Sequence, residues 1–270
     1  MTIQEFNQLV QKKILLLDGA TGSNLLKRGM PVGVCPEQWI LENPEVLKKL
    51  QQEFVAAGSD IIYAPTFAAN RIKLEEYGLA SQIKEMNKNL VAISKEAADG
   101  KAYVAGDITM TGEQLAPMGT LDFEELVDIY KEQITYLVEA GVDLLVVETM
   151  LSLQESRAAL IAAKETCDLP VMVTLTFNED GKTLFGTEPS AAAVVLTSLG
   201  AAAIGINCSA GPDKMIPIIQ EMVQYTNLPL IAKPNAGLPE LQPDGTTEYN
   251  MGADEFVSHT KELIRAGADL

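Results

Sequence analysis

The chain has 270 residues, is 47% hydrophobic, and carries 37 acidic against 20 basic side chains, a formal net charge of −17. That size suits one barrel domain or two smaller ones, and a negative field of this strength disfavours nucleic acid and anionic membrane surfaces as partners. Three cysteines give no disulfide framework and point to a reducing, cytoplasmic setting. The polar N-terminus MTIQEFNQLVQKK lacks the apolar core of a secretion signal. Every apolar run is strand-length, far below the roughly 20 residues of a membrane span.

Seven such runs follow in chain order. They are residues 14–19 (ILLLDG), 60–66 (DIIYAPT), 102–109 (AYVAGDIT), 143–149 (DLLVVET), 170–176 (PVMVTLT), 202–208 (AAIGINC) and 229–235 (PLIAKPN). Each is apolar on both faces, as a strand covered on both sides must be. Helical patterns lie between them. Residues 43–58 and 122–141 show apolar side chains at three-and-four spacing and end in Gly, which suits a left-handed cap. Asn43 and Ser152 are expected N-caps. Residues 211–226 and 252–267 supply the last two helices. AAGSDII, EAGVDLLVV, SLGAAAIGI and RAGADL all read as helix end, Gly, turn, strand. Repeated strand–helix–strand units with right-handed crossovers give a parallel sheet, and seven or eight usually close into a barrel. The expected fold is therefore α/β, a (β/α)8 TIM-type barrel in one domain over residues 1–270; a doubly wound sheet is the runner-up. RAGADL leads to Leu270, so the barrel is expected to be truncated at the start of strand eight, leaving unpaired backbone on its first and seventh strands.

In such barrels the chemistry sits at the C-terminal strand ends. Those ends carry Asp18 and Gly19, Thr66 and Phe67, Asp107, Glu148 and Thr149, Thr176, Asn207 and Cys208, and Asn235. Plainer readings stand beside the functional one. Asp18 could cap a turn, Glu148 could pair with an interior Lys or Arg, Asn207 could bind loop backbone, and Cys208 could be a small buried residue. Cys35 and Cys167 lie away from strand ends. His259, the one histidine, falls in the last helix, which argues against Ser-His-Asp chemistry. The chain has no Walker loop, GxGxxG after a strand, CxxC or HExxH.

The ordered series LLLDGATGSNL, APTFAANRIKLEEYGL, GDITMTGE, VVETM, FGTEP, GINCSAGP and KPNAGLP spans nearly the whole chain. It resembles the homocysteine S-methyltransferase family, most of all the homocysteine-binding module of its cobalamin-dependent members. The resemblance implies zinc-dependent transfer of a methyl group to homocysteine sulfur, with a methyl-corrinoid on a partner domain or protein as donor. It implies that Asp18 and Glu148 hold the substrate ammonium, and that backbone near Gly19 and Ala20 holds its carboxylate. Thr66, Phe67, Asn207 and Asn235 match pocket positions, and Cys208 matches one of three zinc thiolates. The other two belong to a Gly-Gly-Cys-Cys-Gly segment that this sequence lacks, so the zinc site is expected to be incomplete, and the chain to hold little zinc and be inactive. Two other readings remain: a Schiff-base aldolase using Lys233, and a non-catalytic amino-acid-binding module.

Overall fold

The computed structural model describes residues 1–209, 211–237, 239–241 and 247–270. Four helices come first: α1 (Ile3–Lys12), α2 (Gly22–Lys27), α3 (Pro36–Glu42) and α4 (Pro44–Ala57). Then strands and helices alternate: β1 (Ile61–Tyr63), α5 (Arg71–Glu75), α6 (Ile83–Ala98), β2 (Tyr103–Ile108), α7 (Phe123–Glu139), β3 (Leu144–Met150), α8 (Leu153–Thr166), β4 (Val171–Leu175), α9 (Pro189–Ser198), β5 (Ala203–Asn207), α10 (Pro212–Met222) and β6 (Leu230–Lys233). All six strands are parallel and lie in sequence order in one sheet. This is an α/β fold whose strands curve as a half-barrel of the TIM type.

The first apolar run departs from expectation. It makes one parallel bridge, Leu17 to Ile61, and no ladder. There the Leu16 amide donates to the Asp60 side chain (3.0 Å), and the Asp60 and Ile61 amides both converge on the Leu16 carbonyl. The same aspartate-to-amide contact is made at β2, from Val104 to Asp143, and at β6, from Leu230 to Asp269. The flanking edges are nevertheless not bare. The Leu15 amide donates to the Asp269 carbonyl (3.0 Å), and the Ala232 amide to the Leu270 carbonyl (2.9 Å). Residues 268–270 thus lie between β6 and the first run. A short antiparallel pair, β7 (Pro239–Leu241) with β8 (Thr247–Tyr249), follows β6 and was not expected. The sequence signal available for it is the turn triplet Pro243-Asp244-Gly245, although those residues lie outside the described ones. Then comes α11 (Ala253–Ala266).

Caps follow the sequence in part. The Ser152 hydroxyl accepts from the Glu155 amide at the start of α8. Gly58 and Gly141 take left-handed φ values of 107° and 84° after α4 and α7. Asn43 does not cap α4. It is the single residue between α3 and α4, and its side-chain amide donates back to the Trp39 carbonyl at 2.9 Å.

Strand period sorts the side chains into two layers. Ile62, Val104, Leu145, Val147, Val173 and Ile204 face outward and pack under the helices. Ile61, Ala105, Leu144, Val146, Met172, Ala203 and Ile231 face inward around Phe6 of α1. The same alternation carries Tyr63, Asp107, Glu148, Asn207 and Lys233 onto the inner face, one step nearer the C-terminal ends.

Candidate substrate site at the strand ends

The inner face ends in a cluster of charge. Lys233 Nζ lies 3.2 Å from Asp18 Oδ1, 3.5 Å from Glu148 Oε2 and 3.7 Å from the centre of the Tyr63 ring. Both acids are buried and held from behind: the Tyr63 amide donates to Asp18 Oδ2 (2.8 Å), and Asn207 Nδ2 to Glu148 Oε2 (3.2 Å). Burial raises the pKa of Asp18 and of Glu148, with Lys233 pulling each back. Asp107 is pushed well above the carboxylate range, by burial first and the Glu148 charge second. Burial alone would lower the Lys233 pKa, but Glu148 and Asp18 outweigh it and hold the amine well above its usual range.

Asn207 ties the neighbouring strand ends together. Its side-chain oxygen accepts from the Thr149 amide (2.9 Å), and its Nδ2 also donates to Thr149 Oγ1 (2.8 Å) and Cys208 Sγ (3.4 Å). The two residues it grips, Thr149 and Cys208, have left-handed φ values of 61° and 51°. Such backbone is uncommon outside glycine and strained for a β-branched side chain. Cys208 is exposed, yet surrounding protein crowds its thiol enough that burial, ahead of Glu148, raises its pKa.

These groups open into one cavity of about 880 Å³. Asp18, Gly19, Ala20, Phe67, Glu148, Cys208 and Asn235 all line it. Among the described residues the amides of Gly19 and Ala20 donate to no protein group. A side chain at Gly19 would place its Cβ 2.8 Å from Phe54 Cε1, so the loop lies close against α4 and the Phe54 ring would have to shift for any larger residue. Thr66 is buried outside the lining, where its hydroxyl donates to the Asp107 carbonyl (2.8 Å) and accepts from the Asp107 amide (3.0 Å). Asn207 likewise stands behind the lining. Thr176 donates to the Asn207 carbonyl at 3.2 Å.

Two residues of the site escape sequence reasoning. Tyr63 reads as one more apolar strand residue, but forms the aromatic wall of the cluster. Glu37 reads as an acid in the first turn of α3, favourable to the helix dipole. It is buried, lines the cavity, and accepts from the Ala68 amide at 3.0 Å, so it fixes the loop that carries Phe67. Its carboxyl is raised by burial.

A zinc ion, which the sequence resemblance implies, does not fit the described residues. Cys208 offers one thiol, and among those residues no three His, Cys, Asp or Glu side chains are placed to share a metal. Cys35 is buried at the start of α3, donating to Glu37. Cys167 ends α8. His259 lies on α11 beside Glu262. The Schiff-base reading of Lys233 finds no support, because an amine held between two carboxylates stays protonated and is no nucleophile.

Fold and site together define a TIM-type α/β protein with paired carboxylates, an amide-bearing loop and one thiol at the strand ends. The chain belongs to the homocysteine S-methyltransferase family, whose sequence pattern matches residues 15–270. It is 28% identical over 267 residues to a methionine synthase of Mycobacterium leprae, and 28% identical over 266 residues to that of Mycobacterium tuberculosis. It spans 22% of the length of each of these relatives. The metallated form of the homocysteine methyltransferase MmuM from Escherichia coli superposes with a TM-score of 0.80 at 21% identity, over 98% of this chain and 93% of that one. The carboxyl transferase domain of Rhizobium etli pyruvate carboxylase shares the fold more distantly, with a TM-score of 0.58 at 13% identity over 99% of this chain and 41% of that one. No described helix is long and apolar enough to cross a membrane.

Proposed function

We propose that this chain is the homocysteine-binding barrel of a methyl-transfer enzyme that makes methionine. The observation that carries the reading is the pairing of Asp18 and Glu148 around a cation, beside unengaged amides at Gly19 and Ala20, in the cavity that Cys208 borders. Two fixed acids hold the α-ammonium, and two N–H groups hold the α-carboxylate. The side chain then points its sulfur toward Cys208. Orientation of this kind is the main contribution such residues make to a displacement at sulfur. The donor we propose is a methyl-corrinoid carried by a partner domain or protein, a reading supported by the motif at residues 64–79 and by similarity to methionine synthases. A cytoplasmic setting is part of the same proposal, supported by the three free cysteines.

Calorimetric titration with L-homocysteine tests the reading. One molecule should bind per chain, and the methyl ester, which lacks the carboxylate charge, should bind at least about tenfold more weakly, the factor of one charge-assisted contact. Equal binding of acid and ester would remove the role of the Gly19–Ala20 loop. Absence of any homocysteine binding would remove the whole reading.

Zinc sets a second expectation. A thiolate site takes metal by losing protons, and among the described residues Cys208 is the one thiol at the cavity, with its pKa raised by burial. Elemental analysis of the purified 270-residue chain should give well under one zinc per chain. Methylcobalamin and homocysteine together should yield no methionine. Stoichiometric zinc with turnover would overturn this part of the proposal.

A further inference from the structure

The cage formed by Asp18, Glu148 and the Tyr63 ring already surrounds a cation, and that cation belongs to the protein. We propose that Lys233 is the resident occupant of the substrate's ammonium subsite, displaced when homocysteine binds, so that this side chain sets the pocket's affinity and its selectivity for amines. The inference rests on the homocysteine reading above.

The seating of the lysine argues for a replaceable guest. Charge-assisted N–H···O bonds normally measure about 2.7–2.9 Å. Lys233 Nζ stands at 3.2 and 3.5 Å from its two acids. Asp18 Oδ1 is buried, aimed at the cation, and has no hydrogen-bond partner among the described residues. A primary ammonium entering from the cavity is free of the stem that holds Nζ at this distance. It can therefore direct N–H groups at both acids.

The two sides of the pair also differ in freedom. The side chains of Asp18 and Glu148 are 1% and 11% exposed, and both are pinned by the hydrogen bonds already described. Lys233 is 20% exposed, lines the cavity, and ends a flexible four-carbon stem. The acids are the fixed frame and the lysine is the movable part. Three carboxyl groups, those of Asp18, Asp107 and Glu148, face this one lysine, so the mouth remains acid-rich after the lysine leaves. A resident guest that fills the cage nine-tenths of the time lowers the apparent affinity for substrate about tenfold.

The test compares L-homocysteine binding by calorimetry in the native chain, Lys233→Met and Lys233→Arg. Lys233→Met should bind about tenfold more tightly. Lys233→Arg should bind more weakly, because a forked guanidinium grips carboxylates in pairs. Loss of a buried cation can also unfold a chain, so thermal unfolding of Lys233→Ala is followed with methylammonium chloride. Methylammonium should raise the midpoint of Lys233→Ala, leave the native chain unmoved, and compete with homocysteine for the variant. Weaker homocysteine binding by a folded Lys233→Met overturns the proposal, since the lysine is then a required counter-ion. Methylammonium without effect on Lys233→Ala overturns it as well. If methylammonium stabilises Lys233→Ala while no form binds homocysteine, the homocysteine reading has failed and displacement by substrate falls with it, though the ammonium cage stands.

Discussion

Asp18→Asn and Glu148→Gln are each expected to weaken L-homocysteine binding at least about thirtyfold. Removing one charge from a buried, hydrogen-bonded pair costs about 2 kcal/mol or more, and 2 kcal/mol is about thirtyfold in affinity. Both substitutions preserve shape. In Asp18→Asn the side-chain oxygen would still accept from the Tyr63 amide, as the carboxylate does now. In Glu148→Gln the side-chain oxygen would still accept from Asn207. The backbone frame therefore stays, and the loss isolates the charge. Asp107→Asn serves as the contrast. Burial first and the neighbouring Glu148 second push the Asp107 carboxyl well above its ordinary value, so an amide there should cost less than at either paired acid. Calorimetry reads the affinities, with thermal unfolding as the check on folding. An unchanged affinity in either Asp18→Asn or Glu148→Gln would sink the assignment of that acid to the substrate ammonium.

The second large effect is on stability, at the opposite end of the barrel. Helix α1 buries one side chain, Phe6, which is fully enclosed in the inner-layer cluster that also holds Leu15, Ile61, Ala105, Leu144, Val146, Met172 and Ile231. Its ring closes the floor of the inner layer. Truncation removes apolar contact and leaves a cavity that the rigid strands cannot fill, so Phe6→Ala should destabilise the chain by about 3–5 kcal/mol. Phe6→Leu should lose less. Urea unfolding measures both. A loss below about 1 kcal/mol for Phe6→Ala would mean that α1 is a surface appendage and not part of the core.

Much of the sheet was legible because its strands are apolar on both faces, a pattern few other structures require. The recurring Gly at helix ends gave the crossovers for the same kind of reason: a left-handed turn is a position where glycine alone is easy, as Gly58 and Gly141 bear out. The first run misled because its pattern is as apolar as the others. It makes the single Leu17–Ile61 bridge and no ladder, and nothing in its local pattern sets it apart from the runs that do. In the site, the strand ends named from the sequence bring Asp18, Glu148 and Cys208 onto one cavity. Strand ends could not say which of two adjacent residues faces inward. The apolar run over residues 60–66 outlasts its strand, which ends at Tyr63; Tyr63 forms a wall, and Thr66, beyond the strand, lies behind the lining. Lys233 illustrates the limit most clearly. Its position was visible as a strand end, and an amine there suggests nucleophilic chemistry; only the two acids around it turn it into a held cation.

The left-handed residues at the mouth bear on how such a protein can change. Thr149 and Cys208 each hold backbone that is costly for their side chains, on the order of 1–2 kcal/mol apiece, and Asn207 is the clamp that keeps both in place. Glycine at either position would relax the chain and make the fold sturdier. It would also let the strand ends drift, and with them the acid and the thiol beside them. Selection for heat resistance and selection for a sharply defined mouth therefore pull on the same two residues in opposite directions. A lineage adapting to higher temperature would have to find its added stability elsewhere in the barrel, among the outward-facing strand residues and the helices over them, and leave this strained corner alone.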